Sequence, residues 1–115
     1  MRLKSEIWVK AYLRNCQAQL TPALVVRHGD NDAGAIFIKV NCLDGTGKLF
    51  GPAPGGLDEA ACGQLWMAHL DGPDVSVSEA KIDDFLHRQI QFDGDAWIIE
   101  VEDKKGRHWL GEWLR

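Results

Sequence analysis

Cysteine is scarce, with three in 115 residues, and Cys16, Cys42 and Cys62 stand far apart with no Cys-x-x-Cys pair. That spacing excludes a disulfide framework and a zinc ribbon and points to reduced, buried thiols. No apolar run approaches the roughly 20 residues that a membrane-spanning helix requires. The first residues carry Arg2, Lys4 and Glu6 in place of the short apolar core of a signal peptide. A cytoplasmic protein with no membrane partner is expected. The four histidines, His28, His69, His87 and His108, lack a spacing such as His-x-x-x-His, and no serine or cysteine stands beside one in a nucleophile motif. Cys62 with His69 is the nearest approach to a metal pair, and two groups fall short of a zinc ligand set. No cofactor is expected.

The chain is long enough for one domain with a core and too short for two, so residues 1–115 read as a single unit. Its net charge of -4 is unevenly spread. Residues 1–40 hold six Lys/Arg against three Asp/Glu, residues 41–103 hold three against thirteen, and residues 104–115 hold four against one. Basic ends and an acidic middle would favour self-association or a charged partner if they became patches, although blocks in sequence commonly disperse over a mixed surface.

Two β-branched runs, Ala23 to His28 and Ala35 to Asn41, flank the polar segment from Gly29 to Gly34 and read as a hairpin. The second run is apolar on both faces, as a central strand requires. Ser5 to Gln19 reads as an amphipathic helix capped by Ser5, with Ile7, Trp8, Ala11, Tyr12 and Cys16 on its buried stripe and Lys10, Arg14 and Gln17 opposite. Asp44-Gly45 predicts a second reversal into a short strand that stops at the Pro/Gly loop from Gly51 to Gly56. Cys62 to Leu70 alternates as a strand does, though its composition also suits a helix. Ser76 and Glu79 have capping-box spacing ahead of a helix with Ile82, Phe85, Leu86, Gln89 and Ile90 buried. Ala96 to Glu102 is a strand with Ile99 and Val101 on one face and Ile98, Glu100 and Glu102 on the other, and Lys104 to Gly106 turns the chain back into His108-Trp109-Leu110. The fold class is α+β: a largely antiparallel sheet of about four to six strands with two helices packed on it.

Four runs carry a family resemblance: Leu3 to Val9, Asp32 to Asn41, Gly51 to Pro54 and Phe92 to Asp103. The chain resembles the domain-of-unknown-function family fourteen ninety-one, short bacterial proteins found chiefly in alphaproteobacteria. The resemblance spans nearly the whole chain. It implies a free-standing small protein and brings no catalytic residues with it.

Three segments bear on chemistry. Asp44 to Lys48 is similar to a phosphate-binding loop, but Cys42 stands where a glycine is needed and Leu49 where a hydroxyl should meet magnesium, so a hairpin turn is the better reading. Asp30 to Gly34 starts as a calcium loop does, yet Gly34 replaces a ligand and Asn41 stands at the twelfth position, which leaves a polar turn. Asp93, Asp95, Glu100 and Glu102, with Lys104, are the raw material of a metal-dependent hydrolase or nuclease. Their spacing is poor for that, and a salt-bridged sheet face with Lys39 or Arg27 across the strands is preferred.

Five tryptophans are many for so short a chain. Trp8 and Trp97 fall on core stripes, while Trp109 and Trp113 lie in a basic, Gly-interrupted tail with Arg107. Arg107, Trp109 and Trp113 are the candidate interface, although closure of the core is the favoured use of these rings. Acidic overall charge and the lack of a nucleic-acid-binding motif argue against a nucleic-acid partner. The residues do not specify a function. The best reading is a non-catalytic interaction module that binds an unknown partner or itself as a homo-oligomer, with the carboxylate hydrolase as alternative.

Overall fold

The computed structural model describes residues 4–57 and 64–111. In chain order its elements are α1 (Ser5–Ala18), β1 (Ala23–Arg27), β2 (Ile36–Asn41), β3 (Thr46–Leu57), β4 (Gln64–His69), β5 (Val77–Ser78), α2 (Glu79–Phe92) and β6 (Trp97–Glu102). The sheet runs β1-β6-β2-β3-β4, with the two-residue β5 also on β3. Every pairing is antiparallel except β2 with β6. The α+β class and the largely antiparallel six-stranded sheet agree with the expectation from sequence.

The expected β1–β2 hairpin does not form. β6 inserts between the two strands, antiparallel to β1 and parallel to β2 with Ile36 opposite Trp97 and Asn41 opposite Glu102. The polar segment between them serves as a platform instead of a tight turn. Asp30 Oδ2 accepts from the backbone N–H groups of Asp32 and Ala33, and the Asp30 N–H donates to the Asp95 carbonyl at 2.9 Å. The same loop caps α1. Ser5 and Glu6 donate their backbone N–H groups to the carbonyls of Asp32 and Asn31, while the Ser5 hydroxyl donates to the Gly34 carbonyl at 2.7 Å. Ser5 is therefore the first helical residue and not the cap, because loop carbonyls satisfy the orphan donors that a capping side chain would otherwise take.

One helix covers each face of the sheet. On the α1 face, Trp8, Val9, Tyr12 and Cys16 pack on Ile36, Ile38, Val40, Ile99 and Val101. The buried stripe is turned from the expected one: Val9 is inside and Ile7 and Ala11 outside. On the other face, Ile82 and Leu86 of α2 pack with Phe37, Leu49 and Ile98. Alternation along β2 sends even-numbered residues to α1 and odd-numbered ones to α2, which is why the strand is apolar on both sides.

Three boundaries also differ. Ser78, not Ser76, caps α2, its hydroxyl accepting from the Lys81 N–H, because Val77 is held in β5. The Pro/Gly stretch continues β3 to Leu57, with its irregularity between Pro52 and Leu57, since β4 supplies a ladder that propensity alone does not foresee. His108 to Leu110 turns back as expected at Gly106 but forms no strand. Gln64–His69 is a strand, as the alternation predicts, whereas Cys62 lies outside the described residues.

Gly34 sits where the loop, α1 and β6 converge, and a Cβ there would lie 2.3 Å from the Asp95 carbonyl oxygen and 2.9 Å from the Trp97 ring. Gly34→Ala is predicted to destabilise the protein by about 1–3 kcal/mol through this overpacking, read as a lowered urea midpoint with unchanged slope.

Candidate functional site

The feature of the sheet least expected on physical grounds is a lysine inside it. Lys39 points to the α2 face between Phe37 and Asn41, and its side chain is only 6% exposed. Its ammonium donates to Glu79 Oε1 and Asp83 Oδ1, both at 2.8 Å, and Glu100 Oε1 lies 3.5 Å away. Glu79 opens α2 and Asp83 follows one turn later, so helical spacing places both carboxylates over the strand. Glu100 is the parallel register partner of Lys39 on β6. Asn41 donates to Glu79 and Glu100 at 3.4 and 3.5 Å and ties the carboxylates together.

Burial would lower the lysine's affinity for its proton, but the bonds to Asp83 and Glu79 and the charge of Glu100 overcome it and raise the pKa above the ordinary value. A lysine that acts as base or Schiff-base nucleophile needs the opposite shift. The cluster is thus an electrostatic anchor of α2 on the sheet. Beside it, a groove of about 190 Å³ between β1, β6 and α2 is walled by Val26, Leu86, Ile90 and Ile98, with Asp83 and Glu100 also lining it.

The structure disperses the sequence-predicted carboxylates. Asp93 ends α2, its Oδ1 accepting from the Asp95 N–H at 3.0 Å, and the Asp95 carbonyl holds the β1–β2 loop. Glu100 is engaged by Lys39, and Glu102 closes β6 with its backbone N–H on the Pro22 carbonyl. Among the described residues no group of three or more His, Cys, Asp or Glu could hold a metal ion. The expected cross-strand pair of Lys39 with Glu100 is present, whereas Arg27 donates to the Gly94 carbonyl at 2.9 Å. The parts Glu79 and Asp83 play were missed, although their spacing beside the Ile82–Leu86 stripe carried the signal.

The tail is stitched to the α1 layer. Arg107 forms a two-pronged pair with Asp103, Nε to Oδ2 at 2.9 Å and Nη2 to Oδ1 at 2.8 Å, which holds the Asp103 carboxyl below its usual range. The same guanidinium lies 4.9 Å over the Trp109 ring, whose Nε1 donates to Thr21 Oγ1 at 3.1 Å. His108 packs on Phe50, its carbonyl accepts from the Tyr12 hydroxyl at 2.6 Å, and its Nδ1 accepts from the Leu110 N–H. Arg107, which is exposed, and the half-buried Trp109 are therefore brought together at the start of β1. Trp113 lies outside the described residues.

A family model described as protein of unknown function (DUF1491) matches residues 3–111. The chain belongs to the DUF1491 family. A crystal structure of a DUF1491 protein from Caulobacter crescentus CB15 shares 33% identity, covers 100% of this chain and 99% of its own, and superposes with a TM-score of 0.79. A solution structure of a protein from A. tumefaciens shares 33% identity over 99% of this chain and 93% of its own, with a TM-score of 0.75. Both sources are alphaproteobacteria, in line with the resemblance seen in the motif runs. No curated protein matches the chain. Among the described residues no helix is long and apolar enough to cross a membrane.

Two stability predictions arise from this region. Glu79→Gln with Asp83→Asn leaves a buried cation facing only Glu100, with an expected loss of about 3 kcal/mol, while Lys39→Met removes the buried charge and leaves carboxylates that reach water, so it should cost less. Urea titrations of both variants check the order. Burial lowers the pKa of both His69 and His108, the latter with help from Lys48. Folding then favours neutral imidazole, so stability present above about pH 6.5 is lost as pH falls toward the lower folded values. Melting temperatures should drop between pH 7.5 and 5.5, and His69→Gln/His108→Gln should flatten that drop.

Proposed function

We propose that this protein is a non-catalytic binding module of the cytoplasm that receives a strand from another chain along the free edge of β1. The observation that carries the reading is the edge itself. Among the described residues β1 is bonded to β6 on one side only, and its Leu24 and Val26 are 53% and 55% exposed. Leu24 and Val26 stand on the side away from α1, since Ala23 and Val25 pack into the α1 core. An unpaired ladder beside apolar side chains is the arrangement used in strand addition, where main-chain bonds give affinity and alternate side chains give specificity. At β4, the opposite edge, Leu65 to His69 carry no comparably exposed apolar side chain.

A register shift between Val25 and Arg27 marks a bulge in β1. Bulges twist an edge and discourage open-ended sheet growth, so this edge suits one defined partner better than indefinite stacking. The Arg107–Trp109 pair borders the start of β1 through Thr21 and would extend the docking surface with an aromatic anchor, the lesser of the two uses read for these residues from the sequence.

Native mass spectrometry of the protein from cells that make it naturally, beside a Leu24→Lys/Val26→Lys variant, tests the reading. The wild type is expected to retain a partner chain, or a second copy as a dimer mass, and the variant to lose it while melting within about 2 °C of the wild type, as surface substitutions do. A partner retained equally by the variant, or a metal or nucleotide adduct on an otherwise bare monomer, would overturn it.

A further inference from the structure

A larger depression lies on the α1 side of the sheet, apart from the Lys39 groove. It is an open groove of about 640 Å³ between the second half of α1 and the start of β1. Leu13, Leu20 and Pro22 give it apolar walls, and Lys10 and Arg14, one helical turn apart, bring positive charge. We propose that this groove binds an amphipathic organic acid, an apolar chain with a single carboxylate head.

Three observations set that chemistry. Lys10 already has an ion-pair partner in Glu6 at 3.5 Å, whereas Arg14 has none among the described residues, so Arg14 is the cation of the groove available to an added anion. A guanidinium presents a planar fork that matches a carboxylate with two parallel hydrogen bonds, and a single uncompensated charge suits a monoanion better than a phosphate dianion. Leu20 follows the α1 C-terminus with φ 56°, a position that usually takes glycine, and the residue is 91% exposed at the rim of the groove. That side chain carries the apolar wall of the groove out into solvent, where the chain of a bound amphiphile can lie against it.

The orientation follows from the helix. The carbonyls at the end of α1 carry partial negative charge, which repels an anion near Leu20. The head therefore sits at Arg14, one turn back, and the apolar chain runs toward Leu20 and Pro22.

The test is NMR titration of the isotopically labelled full chain with decanoate and, separately, with decyltrimethylammonium, below their micellar concentrations. Decanoate is expected to give saturable shifts in the Leu13 and Leu20 methyls and the Arg14 Nε–H, with the ammonium giving none. Arg14→Glu should weaken decanoate at least tenfold and Arg14→Lys less, with both variants melting as the wild type does. Equal binding of the two amphiphiles, no saturable shift at these groups, or decanoate affinity that survives Arg14→Glu would overturn the proposal. Tighter binding of a hexaglutamate peptide than of decanoate would also overturn it and assign the groove to an acidic protein segment.

Discussion

The structure depends on the parallel pairing of β2 with β6. These strands occupy the middle of the sheet, and each must be covered on both faces, which requires a helix on either side. β2 meets that demand with Ile36, Ile38 and Val40 toward α1 and Phe37 toward α2, and β6 with Trp97, Ile99 and Val101 against Ile98. Insertion of β6 displaces β1 to the edge and brings Glu100 beside Lys39. It also draws the β1–β2 loop over the start of β6, where Trp97 donates its ring N–H to the Asp30 carbonyl at 2.8 Å and its backbone N–H to Ala35. The capping of α1 by that loop is a consequence of the same pairing.

Lys39 is the one charged residue on a strand that is apolar from Ile36 to Val40 apart from it, and its surroundings are explained by that exception. A buried ammonium is tolerated only when charge and hydrogen bonds replace its lost hydration. Glu79, Asp83 and Glu100 do so from two elements, and the first two belong to the opening turns of α2. The cluster therefore registers α2 against the sheet more specifically than Ile82 and Leu86 could alone, since apolar contacts tolerate sliding and ion pairs at 2.8 Å do not. On the opposite face the Asp103–Arg107–Trp109–Thr21 chain does the same for the tail. Polar contacts position the outer elements of this DUF1491 protein, and apolar contacts hold them.

Legibility in the sequence tracks the range of the interactions. The two helices, the β2–β3 turn at Asp44-Gly45 and the alternating faces of β6 all come from periodicity or turn chemistry within a few residues, and all are found. The rotation of α1 that buries Val9 in place of Ile7 depends on where Ile36 and Trp66 lie, which no local pattern states. The extension of β3 through Gly51 and Pro52 depends on β4 in the same way. Of the candidate site residues, Arg107 and Trp109 are adjacent in space as they are in sequence, whereas Asp93, Asp95, Glu100 and Glu102 share a short segment and are drawn to different partners.

The sequence by itself determined the α+β class, the helices and turns, and that β2 would be apolar on both faces, because these follow from side-chain periodicity and turn chemistry, while four motif runs carried the family. Only the tertiary structure decided that β6 separates β1 from β2, that Lys39 meets three carboxylates, and that β1 is left with a free edge. Adjacent strands in sequence form a hairpin unless a distant strand buries more surface between them, and that competition is settled between residues some sixty positions apart, where local patterns carry no information.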